Sequence, residues 1–446
     1  MSRLVIVSNR VPAPRERGAA AGGLAVALRE ALAGREALWF GWSGSNHAPS
    51  YQPRQTRAGR VTFATIDLPQ ADFVGYYRGF SNGMLWPLLH HRMGLAEFRR
   101  EDLAAYRRVN EGFAAALLPL LRPGDVVWVH DYHLIPLGAG LRRRGFGGRI
   151  GFFLHVPFPP RVIFEALPQG EDLLADFGAY DLLGVQTEED AENLNEALAR
   201  RGLPARAASF PIGIEPDTFA AEARAAAAGP DGARLRESLG QRALILGVDR
   251  LDYTKGLPQR FRGFAQLLRR FPEHRNRVTF LQVAPVSRGD VAQYRTLRRE
   301  LDELAGRING EHAEFDWVPL RYLTQTVPRT TLAGFQRIAG IGLVTPLRDG
   351  MNLVAKEFVA AQDPANPGAL VLSRFAGAAQ AMEGAILVNP HDPDEIAEAL
   401  HIALTLPEAE RRVRWERMWQ AVRRNTAGSW ARSFIAALDV AAARAA

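Results

Sequence analysis

The chain has 446 residues, 47% of them apolar and 23% charged, with a formal net charge of +7 and no cysteine. One hydrophobic core rarely grows past about 250–300 residues, so two domains of a soluble globular protein are expected. Disulfides and thiolate metal sites are excluded, and no apolar run reaches the roughly 18–20 residues of a membrane span.

The opening "MSRLVIVSNR" carries an apolar stretch too short for a signal-peptide core and no small-residue cleavage site after it, so a cytoplasmic protein is expected. Basic residues are spread along the chain, at 142–145, 269–271 and 411–419, without a long block alternating with aromatics. No nucleic-acid partner is expected. Only two of the 55 basic residues are lysines, Lys255 and Lys356. Both fall in strand–loop–helix junctions, where a compact ammonium and a planar guanidinium are not interchangeable.

In chain order, "LVIVSN" (4–9) predicts a buried strand, and Gly22-Gly23 opens the helical pattern "GLAVALREAL" behind it. Arg10 ends that strand. A helix start and one guanidinium make either an anion site or an ordinary N-terminus beside a surface charge. The spacing is neither GxGxxG nor GxxxxGK[ST], which leaves dinucleotide and P-loop chemistry unsupported. "YYRGFSNGMLWP" (76–87) sets Tyr77 and Trp86 among polar neighbours, suited to stacking on a sugar or to filling a core.

Strands follow at "VVWVHD" (126–131), "IGFFLH" (150–155) and "LLGVQT" (182–187). The first two bring His130, Asp131, His133 and His155 to strand ends. No HExxH spacing or carboxylate cluster accompanies these histidines, so Asp131 and His155 read better as hydrogen-bonding groups for a polyhydroxylated ligand than as metal ligands. The Ala-rich stretch at 220–240, broken by Gly-Pro and Asp-Gly, marks the domain boundary. A first domain over 1–238, a second over 239–425 and an amphipathic helix over 426–446 packing back on the first are expected.

The second half restarts with "ALILGVD" (243–249), "VTFLQVA" (278–284), "IGLVTP" (341–346), "ALVLS" (369–373) and "AILVNP" (385–390). Strands alternating with helices predict an α/β protein of two Rossmann-like, doubly wound parallel-sheet domains facing across a cleft, with ligands at the strand carboxyl ends. Arg250 and Lys255 flank the turn after 243–249, and Arg288 lies beyond 278–284. With Arg10, four basic residues follow strands, as a pyrophosphate leaving group requires when charge develops on it. Asp349-Gly350 then turns the chain into a helix whose first N–H groups have no intrahelical partner. Glu357, a turn further in, suits two vicinal ribose hydroxyls. The ensemble describes a nucleotide diphosphate sugar. Asp392 and Asp394 form a DxD sequence, but they immediately precede a helical run and read as its N-terminal cap. No metal and no other cofactor is expected.

These stretches resemble the trehalose-6-phosphate synthases, retaining glycosyltransferases of the two-domain GT-B architecture. The likeness runs almost end to end through "VIVSNR", "AGGLAVAL", "WFGWSG", "YYRGFSNGMLWP", "VHDYHL", "GFFLHVPFP", "PIGIEP", "DRLDYTKGLPQRF", "APVSRGDV", "AGRING" and "TPLRDGMNLVAKEFVAAQDPANPG". It implies transfer of glucose from UDP-glucose to glucose 6-phosphate with retention, giving α,α-trehalose 6-phosphate and UDP. Arg250, Lys255, His155 and Asp349 would serve the chemistry, the last two gripping the donor glucose. Gly22, Gly23, Arg250, Lys255, Leu353, Val354 and Glu357 would bind the donor, and Arg10, Tyr77, Trp86, Asp131 and Arg288 the acceptor. The resemblance implies a front-face mechanism in which the leaving phosphate takes the acceptor proton. A homo-oligomer is expected, and with no phosphatase domain after the synthase region, a separate enzyme is expected to remove the phosphate. Arg78-Gly79 replaces a more polar pair of the family's motif. Rival readings are a sister transferase with another acceptor (glucosylglycerol-phosphate synthase or a pseudoglycosyltransferase), an epimerase on the same scaffold, and a sugar-phosphate sensor.

Overall fold

The computed structural model describes residues 3–12, 23–32, 34–46, 50–286 and 292–445. Two compact units emerge among them: Gly23–Ile212 and Gly428–Ala446 with the opening strand, and Gly213–Ala427.

The first unit is built on the strands β1 (Leu4–Arg10), β2 (Ala37–Trp42), β3 (Ser50–Ala58), β4 (Val61–Asp67), β5 (Val126–His130), β6 (Arg149–Phe153), β7 (Leu182–Val185) and β8 (Ala207–Ser209), in the order β3-β4-β2-β1-β5-β6-β7-β8. Every neighbouring pair is parallel except β3 on β4. β2 and β5 are buried at every residue, as strands covered on both faces must be. The closing helix, Ala427–Ala445, belongs to this unit. Its Trp430 and Phe434 lie 4.8 and 4.7 Å from the Trp128 ring of β5. Gly151 on β6 and Gly184 on β7 leave room for Phe434, since a Cβ at either would come within 2.8 Å of its ring.

The second unit is an all-parallel sheet of β9 (Ala243–Val248), β10 (Val278–Val283), β11 (Leu320–Leu323), β12 (Ile341–Val344), β13 (Ala369–Ser373) and β14 (Ile386–Val388), ordered β11-β10-β9-β12-β13-β14. Its core joins Ile245, Phe280 and Leu343 of the sheet to Phe261, Leu301 and Leu400 from three helices. The chain passes between units at Gly213, rather than near 239 as the Ala-rich stretch suggested. That stretch forms the helices Pro216–Ala228 and Pro230–Leu239, and small residues explain where they go. A Cβ at Gly334, on the helix Arg329–Ile338, would stand 2.8 Å from Ala226, so the two helices meet almost backbone to backbone.

Strand order decides where ligands go. In the first sheet β1 leads to β2 on one side, while its other neighbour β5 leads away to β6; in the second, β9 leads to β10 and its neighbour β12 leads the other way to β13. Each unit therefore has a switch point, beyond the carboxyl ends of β1 and β5 in one and of β9 and β12 in the other. Among the described residues, no helix is long and apolar enough to cross a membrane.

Candidate active site

At the switch point of the first unit, Arg10 ends β1 and is exposed. The register of β1 on β2 shifts between Ser8 and Arg10, and Ser8 Oγ, which accepts from Trp39 Nε1 at 2.8 Å, donates to the Arg10 carbonyl at 2.9 Å. A Cβ at Gly44 would stand 2.9 Å from Arg10 Nε, so the guanidinium lies against bare backbone of the "WSGS" turn, held at φ +94°. Across the switch point, Asp131 follows β5 with φ +75° and ψ 162°, a strained backbone region ordinarily reserved for glycine. Its Oδ1 accepts from the His155 backbone N–H at 3.3 Å. The loop after it is pinned, with Tyr106 Oη donating to the Tyr132 carbonyl at 2.6 Å and Asn110 Nδ2 to that of His133 at 3.1 Å.

His155 follows β6, and its tautomer can be read from its neighbours. Gln186 Oε1 accepts from the Ile212 N–H at 3.0 Å, which turns the Gln186 amide to donate toward His155 Nδ1 at 3.4 Å. The proton of His155 is then on Nε2, donating to His130 Nδ1 at 3.0 Å. Burial pushes the His155 imidazole down to about 3, so it acts as a neutral hydrogen-bonding group.

Tyr77 lies in a π-helical segment, Val74–Leu85, a geometry frequent at functional sites. Its half-buried ring stacks between Phe73 at 5.3 Å and His133 at 5.7 Å. Trp86 is only 6% exposed and packs on His90 at 4.1 Å and Tyr132 at 5.8 Å. Its indole is a core group at the back of the Asp131 loop. Gly23 begins the helix Gly23–Ala31, while Gly22 and Arg288 lie outside the described residues.

At the switch point of the second unit, the Asp252 carboxylate accepts from Thr254 N–H and Thr254 Oγ1, each at 3.0 Å, and so winds Tyr253–Lys255 into a tight turn. Lys255 Nζ reaches across to Asp349 Oδ2, beyond β12, at 2.5 Å. Both side chains are mostly shielded, at 12% and 15% exposure. Asn352 completes the group. Its Nδ2 donates to the same Asp349 oxygen at 3.0 Å, and its Oδ1 caps the helix Leu353–Ala361 by accepting from Ala355 N–H at 3.2 Å. Leu353 and Val354 open that helix, placing its electropositive end beside the ion pair. Arg250, in the same loop, is half exposed and 3.7 Å from Asp252. Glu357 is held by Arg329, whose Nη2 lies 3.1 Å from Oε1; burial raises this carboxyl while Arg329 opposes the rise. Lys356 is 2% exposed, and burial pushes its amine down to about 7. Of the two lysines, Lys255 therefore stands in a loop turn and Lys356 on the buried face of the helix Leu353–Ala361.

Gly256 fits the Lys255 turn onto β12, with φ +66° and a would-be Cβ 2.2 Å from the Thr345 carbonyl oxygen. We expect Gly256→Ala to cost about 2–4 kcal/mol in urea unfolding, from left-handed strain together with overpacking. A loss below about 0.5 kcal/mol would mean that the turn has another way to sit.

Sequence reasoning missed Arg260, which is fully buried beneath this loop. The signal was present: helical spacing puts it on the same face as Leu257, Phe261, Phe264 and Leu267, an arginine within an apolar stripe. The DxD sequence is a cap, since Asp392 Oδ1 accepts from Asp394 N–H at 2.9 Å and Glu395 N–H at 3.2 Å. One group with metal-ligand chemistry occurs among the described residues, Glu273, His274 and His401. It follows the far end of the helix Leu257–Arg270, and its two imidazoles are 2.9 Å apart, a distance at which they share a proton.

The glycosyltransferase family 20 model matches residues 2–440 of the chain. The trehalose-6-phosphate synthase of Sinorhizobium fredii is 47% identical, over 98% of both chains. Among solved structures, a UDP-forming α,α-trehalose-phosphate synthase from Burkholderia xenovorans in complex with glucose-6-phosphate superposes with a TM-score of 0.94 at 47% identity, covering 98% of this chain and 100% of that one. An Escherichia coli trehalose-6-phosphate structure bound with UDP-2-fluoro glucose gives 0.93 at 46% identity, covering 98% and 99%. The chain belongs to glycosyltransferase family 20; it is a glycosyltransferase, and its two parallel-sheet units are those of the GT-B architecture.

Proposed function

We propose that this glycosyltransferase moves glucose from UDP-glucose to glucose 6-phosphate, forming α,α-trehalose 6-phosphate and UDP. The observation that carries the reading is the Lys255–Asp349 pair, 2.5 Å apart at the switch point of the second sheet and beside a helix N-terminus. A diphosphate is the group that such a site suits: it would draw Lys255 toward its oxygens, with Arg250 and the first N–H groups of the helix as further donors. Asp349 would then accept from donor-glucose hydroxyls, and Glu357, oriented by Arg329, from the ribose pair. Arg10, in the first unit, would take the 6-phosphate, and Arg288 would supply a second positive charge for the same group. Tyr77 would support the acceptor, with Trp86 packed behind, and Asp131 would orient its hydroxyls. His155, neutral, would accept from a sugar hydroxyl at Nδ1 in place of the long 3.4 Å contact from Gln186.

The transfer proposed retains configuration. The acceptor oxygen bonds to the anomeric carbon from the face that the phosphate leaves, the carbon–phosphate-oxygen bond breaks, and that phosphate oxygen takes the acceptor proton. Cationic side chains stabilise the negative charge that develops on the leaving oxygen, so we propose that no metal ion is needed. Activity should survive prolonged chelation unchanged, and proton NMR of the product should display α linkages at both anomeric centres. A loss on chelation that is restored by divalent ion, or a β-linked product, would refute these finer points.

A further inference from the structure

Arg260, on the helix Leu257–Arg270, carries a guanidinium with no exposed surface against the carboxyl ends of the second sheet. Its Nη1 is 2.8 Å from Asp249 Oδ2, an ion pair in which neither side chain is more than 2% exposed. Nη1 also donates to Gln282 Oε1 at 2.9 Å, Nε to Thr345 Oγ1 at 3.0 Å and Nη2 to the Lys255 carbonyl at 3.3 Å. One side chain thus ties the carboxyl ends of β9, β10 and β12 to the turn that bears Lys255. Gly247 leaves it space, since a Cβ there would stand 2.8 Å from Nη1.

Building on the donor site proposed above, we infer that Arg260 is a positioning residue whose charge cancels that of Asp249, so that the loop above remains attractive to a diphosphate. Without it, a carboxylate with no counter-ion would lie under the phosphates. Isolated buried charge is costly, and at this depth its repulsion is only weakly screened. Burial raises the Asp249 carboxyl, and Arg260 first and then Lys255 oppose the rise, so the two ion pairs share one electrostatic neighbourhood.

The test is calorimetric titration of the full chain with UDP, for wild type, Arg260→Gln, Asp249→Asn and the double variant. Arg260→Gln should weaken UDP binding about tenfold, Asp249→Asn should tighten it by several-fold, and the double variant should return to within about threefold of wild type. The KM for UDP-glucose should follow the same order. A purely structural role predicts otherwise: a double variant as weak as Arg260→Gln, or an Asp249→Asn that binds no better than wild type, would overturn the inference. If Arg260→Gln does not fold, Asp249→Asn decides the matter alone. A wild type that does not bind UDP would instead bring down the donor site and this inference with it.

Discussion

Replacing Lys255 with alanine should lower turnover by two to three orders of magnitude while the KM for glucose 6-phosphate stays within about threefold. The asymmetry follows from where the lysine stands. It sits in the loop after β9, paired with Asp349 after β12, in the unit that lacks Arg10, Tyr77, Trp86 and Asp131. Its charge acts most strongly on phosphate oxygens that gain negative charge as the glycosidic bond breaks, and both members of the pair are largely shielded from water, which strengthens that effect. Lys255→Arg should recover little, because a planar guanidinium does not replace an ammonium that points at one carboxylate oxygen. Near-wild-type turnover in Lys255→Ala would show that the leaving group is stabilised elsewhere.

Arg10→Ala should raise the KM for glucose 6-phosphate about 10- to 100-fold, the range for losing a hydrogen bond to a charged group, with the UDP dissociation constant unchanged. Arg10 is exposed at the end of β1 and backed by Gly44, so its removal leaves no buried orphan and little folding cost. The decisive comparison is unphosphorylated glucose. If the arginine reads the phosphate, the variant should use glucose about as well as the wild type does. An equal loss with both acceptors would mean that Arg10 holds the loop and does not touch the phosphate.

Much of this was legible in the chain. Strands such as Val278–Val283 and Ala369–Ser373 are short apolar runs bounded by polar turns, and the junctions beyond them carry the charge. The strand order was not legible, yet it is what makes the Arg10 and Asp131 loops, and the Lys255 and Asp349 loops, neighbours. β3 escaped notice for a physical reason: it is an edge strand with Pro53 and mostly exposed polar side chains, so no apolar alternation marks it. The π-helical turn at Val74–Leu85 leaves no compositional trace either, because its hydrogen-bond register depends on packing. Trp86 read better as a core aromatic from the residues alone, with the acceptor role coming from the resemblance, and the residue is 6% exposed. Arg260 was hidden by habit, since an arginine in a helix is ordinarily taken as surface.

The most direct test of the whole account is UDP release from UDP-glucose, measured with and without glucose 6-phosphate, with mass analysis of what forms. The account predicts UDP release that depends on the acceptor and a non-reducing disaccharide monophosphate formed in equal amount. UDP-glucose that turns over only with another acceptor, or not at all, would contradict it.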